Sequence, residues 1–95
     1  MKIDFNFPLT GTVVQTVVGR DRKRVFIVVG GVEAGGHVRL LLVNGALRPA
    51  EKPKLKNPRH VRVLGRLDDG EIKALADADD IKIMKMIEKY DNNRE

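Results

Sequence analysis

One stretch constrains the fold of this chain most strongly: two β-branched segments flank a compact and highly charged loop. The flanking segments, residues 12–18 and 24–31, have the composition of β-strands. Residues 19–24 carry four cations, one anion and no apolar side chain, so this loop cannot lie in a core. The sequence therefore predicts a small sheet that presents a cationic loop.

The second of these segments is apolar without alternation from Val25 to Val29. A strand of this kind is either buried on both faces or enclosed in a barrel. Two glycine pairs, Gly30-Gly31 and Gly35-Gly36, are expected to bracket a flexible turn that contains Glu33. The strand is therefore predicted to end at the first glycine pair.

Later strands are predicted from hydrophobic runs and turn residues. Asn44-Gly45 is a strong hairpin signal and predicts a turn into a fourth strand. The further strands are expected at residues 37–43, 46–48 and 60–66. Five short strands with tight turns predict a mainly β fold, in which the sheet forms a small closed or nearly closed barrel.

Between the last two strands, residues 51–59 form a basic segment without periodicity that contains Pro53 and Pro58. Proline fixes φ and removes a backbone donor, so this segment is expected to be an extended, polyproline-like surface linker. Asp68-Asp69-Gly70 is expected to be a turn, and residues 71–76 fit either a short strand or a helical turn.

Residues 80–90 have the pattern of an amphipathic α-helix of about three turns. Its apolar face comprises Ile83, Met84, Met86, Ile87 and Tyr90. Aspartates at positions 77, 79 and 80 are candidates for its N-cap. The apolar face is expected to pack on the barrel, and the alternative is a docking face for a protein partner.

The net charge of +5 is unevenly divided along the 95 residues. Residues 1–66 hold 13 Lys/Arg and 4 Asp/Glu, a net +9, whereas residues 67–95 hold 5 and 9, a net −4. A basic body attracts polyanions, nucleic acid first and an anionic membrane second. We expect a β-barrel over residues 1–66 and a C-terminal extension with the helix over residues 67–95.

Composition also limits the chemistry and the compartment. The chain has no cysteine and no serine, and we find no nucleophile–base pair, catalytic carboxylate pair or metal-ligand spacing. We therefore expect no enzyme activity, no cofactor and no metal. The charged N-terminus does not resemble a signal peptide, and the longest apolar run has five residues. A cytoplasmic location is expected, without membrane insertion.

Several of these residues occur in the order of a known motif. Gly11 and Val13-Val14 precede residues 18–24 and the apolar strand 26–29. Asn44-Gly45, Leu47-Arg48, Lys52-Pro53-Lys54, Lys56 and Arg59-His60-Val61 follow. Over residues 11–61 the chain resembles the KOW motif of small bacterial RNA-binding proteins, which are similar to a eukaryotic and archaeal large-subunit ribosomal protein family.

The resemblance implies an SH3-like barrel and binding to RNA, with ribosomal RNA or the ribosome as the partner. Lys23 stands where the family has its characteristic glycine. Glycine there would permit a positive φ and close approach of the backbone to RNA. Either the turn differs in this chain, or the loop contacts RNA through its side chains.

Two basic segments are the candidate RNA-binding residues. The first comprises Arg20, Arg22, Lys23 and Arg24, and the second comprises Arg48, Lys52, Lys54, Lys56, Arg59 and His60. Clustered cations repel one another and are stabilised by phosphate, and arginine can also contact phosphate with two hydrogen bonds. The simpler interpretations are a solvated loop for the first segment and a solubilising connector for the second.

Two functions remain open at the level of sequence. The first is a noncatalytic RNA-binding protein that recognises structured RNA, because no aromatic platform accompanies the charge. The alternative is an SH3-like protein–protein interaction module that uses the barrel groove or the C-terminal helix. Charge reversal at Arg20, Arg22 and Arg24 separates the two, since only RNA binding should depend on these residues.

Overall fold

A computed structural model describes residues 7–18, 24–45 and 52–91 of the chain. These residues form one five-stranded antiparallel sheet and two α-helices, which confirms the prediction of a mainly β fold. The strands are β1 (Thr12–Thr16), β2 (Val25–Ala34), β3 (His37–Val43), β4 (Lys54–Lys56) and β5 (Val61–Arg66). The helices are α1 (Asp69–Ala74) and α2 (Asp80–Asp91), with short 3₁₀ turns at Pro58–His60 and Leu75–Asp77.

The strand order of the sheet is β4-β3-β2-β1-β5, so its two edge strands are consecutive in the chain. Only residues 57–60 join them. In a flat sheet, four strand spacings would separate the edges by about 19 Å. The connection contains a 3₁₀ turn that rises only about 2 Å per residue. The sheet must therefore curl so that β4 approaches β5. Among the described residues no hydrogen-bonded ladder joins these two strands, so the structure does not show a closed barrel.

Both faces of the sheet are covered, which explains the apolar run in β2. One face carries the helix-side core, and the other carries the opposite core. The helix-side core consists of Val13, Val25, Ile27, Val29, Leu41, Val43, Leu67, Leu75, Ala78, Ile83 and Ile87. The opposite core consists of Val14, Phe26, Val28, Leu40 and Leu42. Successive side chains of a strand point to opposite faces, so a strand in contact with both cores shows no polar alternation.

Strand β2 extends three residues further than predicted. Gly30, Gly31 and Glu33 lie within it and pair with β3, so the predicted flexible turn around Glu33 is wrong. The turn is shorter and consists of Gly35-Gly36. Both glycines have positive φ values, 58° and 78°, as a two-residue hairpin turn of the favoured twist requires.

The proline-containing segment is also more regular than predicted. Residues 51–59 are not simply a polyproline-like linker, because Lys54 and Lys56 pair with Leu42 and Leu40 of β3 as an edge strand. Pro58 then opens a 3₁₀ turn, where its fixed φ and missing donor cost little. The predicted strand at 46–48 lies outside the described residues.

The remaining strand boundaries differ slightly from the predictions. Strand β1 ends at Thr16 rather than at Val18, and β5 begins at Val61 rather than at His60. Val17 still donates a backbone hydrogen bond of 3.0 Å to the carbonyl of His60. One residue beyond β1, the chain is therefore still hydrogen-bonded to the residue that precedes β5.

The acidic segment after β5 forms a helical layer on one face of the sheet. The predicted turn at 68–70 is wrong, because Asp68 is the N-cap of α1 and shares a capping box with Glu71. Helix α2 lies where the sequence predicts it, and Asp79 caps it by accepting from the Lys82 N–H at 2.8 Å. Ile83 and Ile87 of α2 belong to the helix-side core.

The turn after β3 packs directly against α2, so a methyl group added at Gly45 should measurably lower the stability of the fold. Gly45 has φ of 79°, and a Cβ there would lie 2.6 Å from Met84 Cγ and also meet the Asp80 carbonyl. We expect Gly45→Ala to lower the free energy of unfolding by about 2–4 kcal/mol, through backbone strain and overpacking together. Gly36→Ala is the matched control, because Gly36 has φ of 78° and open space around it.

The control should lose only the strain contribution of about 1–2 kcal/mol. Urea unfolding of the two variants gives this difference directly. Equal losses in both variants would show that α2 does not press on the turn.

Candidate nucleic-acid interface

The structure describes six of the ten predicted RNA-binding residues, and all six reach solvent. Arg24, Lys52 and Arg59 are exposed, whereas Lys54, Lys56 and His60 are half-buried. The remaining four, Arg20, Arg22, Lys23 and Arg48, lie outside the described residues.

Thr16 fixes the two ends of the loop between β1 and β2. Its side chain is fully buried, and its backbone N–H donates to the Arg24 carbonyl at 3.0 Å. Its hydroxyl Oγ1 also lies 3.3 Å from the Arg24 backbone N–H, which donates to it. Arg24 is therefore held by its backbone, and its side chain is exposed.

The second basic segment contacts the base of this loop. Lys56 Nζ donates a hydrogen bond of 3.1 Å to the backbone carbonyl of Val18. The Val17 N–H bonds to the carbonyl of His60, at the end of the 3₁₀ turn. The second basic segment therefore lies at the base of the loop that carries the first, although Val18 and Lys56 are 38 positions apart in the chain.

The lysines of β4 are on the face of the sheet that the helices do not cover. Directly paired residues of neighbouring strands share a face. Lys54 pairs with Leu42 and Lys56 with Leu40, and both leucines belong to the opposite core. The lysine stems can therefore cover apolar surface while the ammonium groups reach water.

The division of charge along the sequence also becomes a division in space. Helices α1 and α2 pack on the helix-side core and, together with the residues next to them, contain most of the described acidic side chains. These acids in or next to the helices are Asp68, Asp69, Glu71, Asp77, Asp79, Asp80 and Glu88. A polyanion that approaches β4 on the opposite face would meet the basic segment away from this acidic layer.

Two basic residues that were not predicted lie near the 3₁₀ turn at the end of the second basic segment. His37 and Arg39 of β3 line a cleft with Arg59 of the 3₁₀ turn. The cleft has a volume of about 410 Å³ and is formed by residues 36–39 and 57–59. Because His37 and Arg39 do not belong to a local run of charge, only the pairing of β3 with β4 could have revealed them.

Part of the α2 surface is apolar and exposed. Ile87 belongs to the apolar face that was expected to pack on the barrel, with a docking face as the alternative, and it is only 5% exposed and lies in the core. Ile81 and Met84, by contrast, are 64% and 47% exposed.

Among the described residues, no group of three or more potential ligands could hold a metal ion.

Comparisons with known proteins do not identify a family. No protein-family model matches the chain, and no curated protein is significantly similar to it. The resemblance to KOW-domain proteins therefore rests on the order of the residues named above.

In the described part of the chain, neither helix has the length and apolar character needed to cross a bilayer.

Proposed function

We propose that this protein binds structured RNA without catalysis, through the loop between β1 and β2 together with residues 52–60. The observation that carries the proposal is the hydrogen bond from Lys56 Nζ to the Val18 carbonyl, because it brings the second basic segment to the base of the loop that carries the first. The KOW resemblance favours ribosomal RNA in the cytoplasm as the target.

The conformation of the second segment supports phosphate binding. Three of its residues are a paired strand, and the next turn is closed by the Asn57 side chain, which accepts from the Arg59 N–H at 2.9 Å. The backbone of such a segment loses little further entropy when its cations contact a phosphate chain. Neutralising phosphates releases counterions, and this release supplies much of the affinity.

The positions of Phe7, Phe26 and Tyr90, the aromatic residues that the structure describes, favour structured RNA over an unpaired strand. Phe26 is fully buried, and Phe7 packs against the opposite core. Tyr90 is half-buried and donates from its hydroxyl to the Arg66 carbonyl at 3.1 Å. Since binders of single strands stack bases on exposed aromatic rings, shape and phosphate positions are the better basis for recognition here.

We further propose that the curled sheet is an SH3-like barrel of the KOW type. The four-residue connection between the edge strands and the ladder irregularities at Val13/Val14 and Val28/Gly30 support this proposal. Bulges of this kind bend strands and increase their twist, as closure of a small sheet requires.

A salt titration tests the proposed function. Binding of the full chain to a folded ribosomal RNA hairpin should weaken steeply with salt, with a slope of log K against log salt of about −4 to −7. Heparin serves as the control polyanion. A clear preference for the hairpin supports RNA recognition, whereas equal affinity for both would reduce the surface to a general anion binder.

A second candidate function is a protein-interaction module. The exposed apolar side chains of Ile81 and Met84 favour it, since they lie three positions apart on one helix. If the RNA hairpin does not bind at moderate salt, RNA binding is excluded and this second function gains.

A further inference from the structure

The cleft between the β2–β3 turn and the Pro58–His60 turn has features of a ligand site. Its volume of about 410 Å³ falls within the range of small-molecule sites, about 300–1,000 Å³. One wall comes from residues 36–39 and the other from residues 57–59. A cavity of this size has room for more than a single phosphate group.

The walls of the cleft are basic. His37, Arg39 and Arg59 line it, and none of its described lining residues is acidic. Guanidinium groups match the geometry of phosphate oxygens and can bind them with two parallel hydrogen bonds. The chemistry of the lining therefore favours an anionic ligand that contains phosphate.

Hydrogen bonds fix the guanidinium group of Arg39 and the backbone of Arg59. Arg39 Nη1 donates to the Val38 carbonyl at 3.1 Å, which orients the guanidinium and leaves its other donors for a ligand. The backbone of Arg59 is held by Asn57. At the mouth of the cleft, Gly36 has no side chain and open space around it, so a ligand can reach the backbone.

We propose that this cleft binds one nucleotide, with its phosphate held by Arg39 and Arg59 and its nucleoside in the remaining volume. This inference rests on the proposed RNA-binding function, because it specifies which part of the bound RNA would enter the cleft. Lys56 directly precedes the 57–59 wall in the chain, so the cleft adjoins the second basic segment. The phosphate belongs either to a nucleotide within an RNA chain or to a free mononucleotide.

NMR titrations of the full ¹⁵N-labelled chain distinguish these sources. The probes are adenosine monophosphate, adenosine, inorganic phosphate and the RNA hairpin. We expect the monophosphate to shift the amide signals of residues 36–39, 57 and 59, and adenosine to leave them unchanged. The RNA hairpin should shift the same amides and bind more tightly than the monophosphate if the site belongs to the RNA surface.

Variants of the two arginines test their roles. Arg39→Gln and Arg59→Gln should each weaken monophosphate binding by about 10-fold or more, because each removes a charge-assisted contact. Arg39→Lys retains the charge without the forked geometry, and we expect an intermediate loss. Lys82→Gln is the control, since it removes one exposed charge from α2 without touching the cleft.

The outcomes separate this inference from the proposed function. RNA binding that is unaffected by Arg39→Gln, without monophosphate shifts in the cleft, would overturn the nucleotide site and leave RNA binding intact. Shifts by the monophosphate without RNA binding would support the cleft and overturn the proposed function. Equal binding of inorganic phosphate and the monophosphate would overturn the nucleotide assignment.

Discussion

Replacing Arg20, Arg22 and Arg24 with glutamine should lower the affinity for the RNA hairpin by about 100- to 500-fold at 0.1 M salt. Each phosphate contact contributes about 0.7–0.9 to the slope of log K against log salt, which corresponds to a factor of about 5–8 at this concentration. The triple variant should therefore also have a slope smaller by about 2–3, and its affinity should approach that of the parent near 1 M salt. Fluorescence anisotropy with a labelled hairpin measures both quantities.

The control variant carries Lys73→Gln, Lys82→Gln and Lys85→Gln. These three lysines are exposed on α1 and α2, so the control has the same net charge as the loop variant. It should lose only a few-fold in affinity, through the weaker overall field. Equal losses in the two variants would show that net charge, rather than the loop, determines binding.

Local composition was sufficient to predict the centre of the sheet. The run Val25 to Val29 requires apolar neighbours on both sides, and the two cores provide them. The amphipathic pattern of α2 was equally informative, because Ile83 and Ile87 recur at helical spacing. In both cases the side chains themselves determine which surface must be buried.

The edge strand β4 was predicted less well because tertiary pairing determines it. Strand β4 is only Lys54–Lys56, and its two lysines next to prolines resemble a soluble linker. Pairing with β3 stabilises it as a strand, and propensity alone does not predict this pairing. The start of α1 was different, since Asp68 and Glu71 have capping-box spacing that is visible in the sequence.

The candidate site shows the same contrast. Each basic segment is a local cluster that the sequence predicts directly. The contact of the second segment with the base of the β1–β2 loop depends on the Lys56–Val18 bond, and the cleft depends on the approach of Arg59 to Arg39 across two strands. Arg39 and Arg59 are 20 positions apart, and the local sequence gives no sign that they are close in space. The curled sheet brings them together, because the chain returns to β1 after β4.

The helical layer should contribute strongly to stability, and Ile83 provides the most direct test. Its side chain is fully buried in the helix-side core together with residues of β1, β2 and β3. We expect Ile83→Ala to lower the free energy of unfolding by about 3 kcal/mol, because it removes buried methyl groups and leaves a cavity. Urea unfolding followed by circular dichroism measures the loss.

Ile81→Ala is the matched control, because Ile81 lies in the same helix and is 64% exposed. Its replacement should change the free energy of unfolding by no more than about 0.5 kcal/mol, since alanine also favours the helix slightly. A large difference between the two variants means that the helical segment 67–91 and the sheet unfold as one unit around a shared core. Equal small effects would mean that α2 does not pack on the sheet in solution, and the acidic segment would then be free to cover the basic surface.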